Sequence, residues 1–167
     1  MMKNYLKKNE LGQAMVEYGL TIVMFVFLIF SIIDLGWIGF QYISFDYSYQ
    51  YSSWKIVVSD PNINYPYTYS GWAYNNLVRA NIADNAVGIN VSNLSVKNTV
   101  IKLTTENQNV TNPDGTHETH KRRYMQITAV IEYTIKPLTP IGELLYGSTI
   151  KWTKNLDRLR LLQTKFN

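Results

Sequence analysis

Apolar and polar positions alternate along this chain with three different periods. Sixteen residues between Glu17 and Asp34 carry no charge and are mostly apolar. As a helix rising ~1.5 Å per residue they cover roughly 24 Å, somewhat less than a ~30 Å hydrocarbon core. Apolar character resumes at Leu35, Trp37, Ile38, Phe40 and Ile43, so this helix is expected to continue to about Phe45. Further on, Tyr74, Leu77, Val78, Ile82 and Ala86 recur at spacings of three and four. That predicts an amphipathic helix over 72–87, with Gly88 as its stop. Strict alternation then sets in. Met125, Ile127, Ala129, Ile131, Tyr133 and Ile135 share one face, while Tyr124, Gln126, Thr128, Glu132 and Thr134 share the other.

This alternation predicts a strand over 124–135, ended by Pro137 and Pro140. A less regular strand is expected over 94–105. Asn112-Pro113-Asp114-Gly115 between them is a strong turn, so the two are expected to form a long hairpin. A further strand over 148–162 completes an antiparallel sheet. The stretch Tyr65-Pro66-Tyr67-Thr68-Tyr69-Ser70-Gly71 reads as a loop, with Asp60-Pro61 as an earlier break. The fold class is therefore α+β, a long N-terminal transmembrane helix followed by a domain with one helix and an antiparallel β-sheet.

Charge changes the picture at the N-terminus. Lys3, Lys7 and Lys8 precede the apolar run, and few charges follow it closely, which predicts a cytoplasmic N-terminus and an exported C-terminal domain. An ordinary secretory signal would end in a small-residue cleavage site after its apolar core. Here the run continues into Asp34-Leu35-Gly36-Trp37, with no such site. Beyond Gly12 the chain holds 13 basic and 11 acidic residues, a net +2, too weak for nucleic-acid binding. With no cysteine, an exported domain must rely on its apolar core or on neighbouring subunits.

Two charges flank the apolar run. A carboxylate at the centre of a membrane helix costs about +2.5 to +3.5 kcal/mol on insertion scales, so Glu17, at its edge, calls for a partner. Asp34 has two readings. The plainer, preferred here, is a solvated carboxylate at the outer membrane boundary. The sharper is a contact to a basic group of a neighbouring subunit. Catalytic and metal chemistry find little support. His117-Glu118-Thr119-His120 offers two imidazoles three apart, with neither a third histidine nor a cysteine, and reads as a solvated loop tip. No phosphate-binding glycine loop and no Ser/His/Asp arrangement stands out, so neither an enzyme nor a cofactor is expected. Eight of the 13 tyrosines lie between Tyr42 and Tyr74. Subunit packing and plain surface explain them better than an adhesive role.

The basic leader, Gly12, Glu17 and the apolar helix together resemble the class III signal of type IV pilins and pseudopilins. The resemblance implies that a membrane-embedded prepilin peptidase cuts between Gly12 and Gln13, leaving Glu17 as the fifth residue of the mature chain. Glu17-Tyr18 followed by Gly19-Leu20 is most similar to the Tad (tight adherence) branch. The length beyond the helix, the Ile32-Ile33-Asp34-Leu35-Gly36 close and the Lys136-Pro137-Leu138-Thr139-Pro140 stretch resemble its TadE-like members. The family further implies that Glu17 neutralises the new N-terminal amine of a neighbour. The expected layout is a cleaved leader over 1–12, a membrane and assembly helix over 13–45, and an exported pilin-like domain over 46–167.

The resemblance also implies partners and location. They are the prepilin peptidase, other pilins or pseudopilins of the same pilus, an inner-membrane assembly platform and membrane lipid, with no nucleic acid. The expected role is a minor pseudopilin of the cytoplasmic membrane that initiates, caps or modifies the fibre. Alternatives are a major pilin subunit, or a single-pass anchor for an exported binding domain. Gly12→Leu is expected to leave the full-length chain in the membrane, and N-terminal sequencing of the extracted protein checks it. A mature end at Gln13 in that variant would contradict the cleavage assignment.

Overall fold

The computed structural model describes residues 2–58 and 66–166, with side chains described over 12–58 and 66–162. Its elements run α1 (Met2–Ser53), β1 (Tyr67–Ser70), α2 (Trp72–Asp84), a single 3₁₀ turn (Val91–Asn93), β2 (Leu94–Thr111), β3 (His117–Ile135), α3 (Pro140–Tyr146) and β4 (Ile150–Phe166). The expected break at Asp60-Pro61 and the first residue of the tyrosine run, Tyr65, lie outside the described residues. The α+β class holds, with the four strands in one antiparallel sheet ordered β1-β2-β3-β4.

The chain divides into two units, Met1–Phe40 with Ile135–Ile150, and Gln41–Thr134 with Lys151–Asn167. In the first, side chains of α1 are exposed on every side from Gly12 to Phe30. An apolar helix without an aqueous-facing polar stripe is built for a uniformly apolar surrounding. Among the described residues α1 is the one helix long and apolar enough to cross a membrane.

In the second unit α1 changes character. Gln41, Ser44, Phe45, Ser48, Tyr49 and Ser52 are buried, at the three-and-four spacing of a single helix face. The helix therefore does not end near Phe45. It continues to Ser53 because the sheet covers this face. Phe45 stacks on Tyr133 of β3 at 5.1 Å between ring centroids. Tyr42 meets Trp152 of β4 edge-on at 4.5 Å. Serines at 44, 48 and 52 are small enough to let the helix lie close, and Ser48 returns its hydroxyl proton to the Ser44 carbonyl at 2.8 Å. At the end of α1, β4 supplies hydrogen-bond donors. Arg160 donates to the Trp54 carbonyl at 2.9 Å, and Arg158 to the Gln50 side chain at 2.8 Å.

The sheet buries the predicted face of β3, Met125, Ile127, Ala129, Ile131, Tyr133 and Ile135, and pairs β2 with β3 from Leu94↔Tyr133 to Thr111↔His117. Both hairpin strands are longer than their apolar alternation. Thr104 to Thr111 is polar apart from Val110, yet its backbone is paired, so cross-strand hydrogen bonding and the turn carry the ribbon outward. Gly115 sits at φ 85°, the left-handed region that favours glycine. Asp114 accepts from the Thr116 amide at 3.0 Å and its hydroxyl at 2.7 Å. Those bonds, the hydroxyl's foremost, hold its carboxyl below the usual range. A bulge between Lys97 and Val100 uses Asn98 at φ 55°.

Three further expectations are corrected. Tyr67–Ser70 is a strand rather than loop, because it pairs with Val100 to Leu103 of β2. The amphipathic helix stops at Asp84, short of 87, with Val78 and Ile82 as its buried residues. His117 to His120 lies within β3 and not at a loop tip.

Phe45→Ala is expected to cost ~3–5 kcal/mol by emptying the space against Tyr133, read as a lower midpoint of chemical unfolding. Burial pushes the Tyr133 phenol above its ordinary value, against the smaller opposing effect of the Asn90 amide. A raised folded value means this contribution is whole below the ordinary tyrosine range and is lost as pH rises through it. Tyr133 also donates to the Gln41 carbonyl oxygen. Tyr133→Phe should therefore destabilise the fold at neutral pH by ~1–3 kcal/mol, by leaving Gln41 unmatched. It should also flatten the loss of stability at alkaline pH.

Candidate functional site

The head of α1 presents four of the residues singled out by sequence on open helix surface. Gly12, Gln13, Glu17 and Tyr18 are all exposed. A four-residue spacing brings Gln13 and Glu17 onto one face, and the Gln13 amide donates to Glu17 Oε1 at 3.0 Å. Thr21 donates to the Glu17 carbonyl at 2.8 Å. A Cβ added at Gly12 would meet nothing within 4 Å, and the same holds at Gly19, Gly36 and Gly39. None of these glycines is demanded by packing among the described residues. Lys3, Lys7 and Lys8 lie on α1 but outside the residues whose side chains are described.

Asp34 stands seventeen residues further along, roughly 26 Å up the helix axis. It is fully buried, so the solvated-boundary reading is corrected. Its Oδ1 accepts from the backbone amides of Leu138 at 2.6 Å and Thr139 at 3.1 Å, and its Oδ2 accepts from the Thr139 hydroxyl. Thr139 is the N-cap of α3 and itself accepts from the Gly142 amide at 3.0 Å. Trp37, nearly one turn on, donates its indole N–H to the Lys136 carbonyl at 3.1 Å. A carboxylate is suited to this place because an anion accepts several N–H and O–H groups at once. Gly142 is buried against the same carboxylate, and a Cβ there would overlap it. The glycine is a requirement of close approach.

Sequence reasoning missed α3 and this clamp. A signal for the helix was present. Thr139-Pro140 joins an N-cap residue to a proline at the first helical position, although two prolines so near the end of β3 read first as a strand stop. Nothing in the sequence linked Asp34 to residues more than a hundred positions away.

The remaining candidates stay apart. An odd spacing on a strand puts His117 and His120 on opposite faces. His117 contacts the Thr111 hydroxyl at 3.0 Å and His120 the Glu118 carboxylate at 3.3 Å. Among the described residues no group of three or more His, Cys, Asp or Glu could hold a metal ion.

Compared with known proteins, residues 12–48 match the family model described as TadE-like protein. The match begins at Gly12 and takes in Glu17, Tyr18 and Asp34, all on α1. No curated protein and no solved structure gives a significant match to the chain.

Asp34→Ala is expected to free the Leu138 and Thr139 amides, seen as faster hydrogen exchange at those two positions, while amides of β2 and β3 keep their protection. Gly142→Ala should produce the same local change through the opposite cause, by pushing the carboxylate away. Unchanged exchange at Leu138 and Thr139 in both variants would show that the clamp does not hold this loop.

Proposed function

We propose that this protein is a TadE-like minor pseudopilin of a Tad-type pilus, held in the cytoplasmic membrane by α1 and trimmed by a prepilin peptidase after Gly12. The observation that carries the reading is the family match over 12–48, which starts at the glycine of the expected cut. Two features of α1 support it. Gly12 is exposed and serves no packing among the described residues, which suits a residue needed by an enzyme that reads it. Glu17 lies one turn from Gln13 on an exposed face, so cleavage would place a new positive amine and a carboxylate one turn apart on the same face of the helix.

In this role Glu17 pairs with the Gln13 amine of a neighbouring pilin or pseudopilin. Both charges then have a partner in a place of low dielectric, where leaving one unpaired is costly. Tyr18 flanks this charge pair on the same helix. The leader lysines keep the N-terminus in the cytoplasm, and the sheet-bearing unit initiates, caps or modifies the fibre outside. The assembly platform and membrane lipid complete the set of partners.

Glu17→Gln separates this reading from a plain anchor. It is expected to give a protein cut after Gly12 and inserted in the membrane that is recovered about tenfold less well with its pilin partners, a change of ~1.4 kcal/mol, and that lowers pilus number. N-terminal sequencing and co-purification check the two halves. Normal recovery and normal piliation would reject the pairing. An intact leader on the wild-type protein, in cells that hold the peptidase, would reject the pseudopilin assignment.

A further inference from the structure

The unit that holds the apolar half of α1 also holds an exposed apolar cluster that α1 does not supply. Leu144 of α3 is 78% exposed and Leu138, just before α3, 57%, with Leu145 beside them. This is a high share for leucines on a seven-residue helix whose other side is pinned. Gly142 faces α1 at the Asp34 carboxylate, while Leu144 and Leu145 are turned outward. We propose that α3 and the loop before it form a second membrane contact, with Leu138, Leu144 and Leu145 seated in the lipid interface where α1 leaves the bilayer.

The height of α3 follows from the clamp. Asp34 is the first charge after the uncharged run, so it stands at the outer end of the segment assigned to the hydrocarbon. Its hydrogen bonds to Leu138 and Thr139 fix α3 at that level. Leu144 and Leu145 are two and three residues from Gly142, about 3–4.5 Å of helix rise. The headgroup layer on each side of a bilayer is ~5–8 Å deep, so the leucines fall within it. From Leu138 to Tyr146 the only charge is Glu143. Trp37, bonded to the Lys136 carbonyl, is the type of residue that settles at this depth.

Lipid is the occupant chosen because of continuity. Ile32 and Leu35, on either side of Asp34, are 60% and 54% exposed. The leucine cluster therefore adjoins a helix surface that already requires an apolar surrounding. The uncharged run is also short for a full hydrocarbon core. Extra apolar surface at its outer end offsets such a mismatch locally. In effect α3 is a collar. α1 cannot slide along its own axis without carrying three leucines into or out of the interface.

The inference rests on the membrane reading of α1, and the test keeps the two apart. The chain has no cysteine, so single cysteines can carry an environment-sensitive fluorophore. Full-length Leu144→Cys, Leu138→Cys, Phe27→Cys and Leu159→Cys are reconstituted in vesicles of phosphatidylcholine and phosphatidylglycerol. Phe27 reports the span, and Leu159, exposed on β4, reports water. Labels at 144 and 138 should be quenched several-fold more than the label at 159 by nitroxides attached near the headgroup end of the acyl chain. They should also be shielded from aqueous iodide. Adding Asp34→Ala should return the 144 label towards the value at 159.

A 144 label that behaves like 159, while 27 is quenched by deep nitroxides, overturns the collar alone. A 27 label that escapes lipid nitroxides overturns the membrane reading beneath it. Shielding from iodide without lipid quenching means that protein covers the leucines, and this too overturns the proposal. An Asp34→Ala chain whose 144 label stays in lipid shows that the clamp does not set its depth.

Discussion

Backbone N–H groups at the start of a helix need acceptors, and where water is scarce the need is sharper. Asp34 meets it for Leu138 and Thr139 across a sequence separation of about a hundred residues. Its burial is tolerable because both oxygens are engaged. The same contact explains Thr139 as a cap, Pro140 as a first helical residue and Gly142 as the position where no side chain fits. Without an acceptor at 34, nothing described here would fasten the segment after β3 to α1 except the Trp37–Lys136 bond.

α1 has to serve two surroundings with one backbone. From Gly12 to Phe30 it exposes apolar side chains on all sides. From Gln41 it turns a narrow face inward, built of Phe45, Tyr49 and several small serines. The small residues permit close approach, and Phe45 stacks on Tyr133 of β3. Gln41 closes this face through Tyr133 and donates to the Gly88 carbonyl at 2.6 Å. Several polar groups of this face find partners, with Ser48, Tyr49 and Ser53 hydrogen-bonded, while the Ser52 hydroxyl is buried without one among the described residues.

Much of this was legible in the sequence where one surrounding acts at a time. The uncharged run, the strict alternation of β3 and the Asn112–Gly115 turn each read correctly, because burial on one side or on all sides leaves a plain period. The inner face of α1 from Gln41 to Ser52 did not, since serines and a glutamine at three-and-four spacing look like surface. Tyr67–Ser70 failed for a similar reason. Its tyrosines suit either a loop or a strand, and only pairing with β2 decides. The clamp was invisible because a carboxylate next to a membrane segment has an obvious solvated explanation, and the donors that overturn it are backbone groups that any residue carries. The head at Gly12 and Glu17 was legible as a motif, and the family match over 12–48 covers it.

The flank between the end of α1 and β4 has a mechanical side. Tyr42 with Trp152, Asp46 with Lys154 at 2.8 Å, Tyr49 with the Asn155 carbonyl at 3.3 Å, and Gln50 and Trp54 with Arg158 and Arg160 follow one another in the same order on both elements. They run from Tyr42 to Trp54, one residue past the end of α1, and the helical part rises roughly 17 Å. A pull directed along the axis of α1 would strain these links together, in shear, whereas a pull across it would open them one after another. A subunit joined to its surroundings through α1 would feel the first kind of force, and this flank is arranged to resist it.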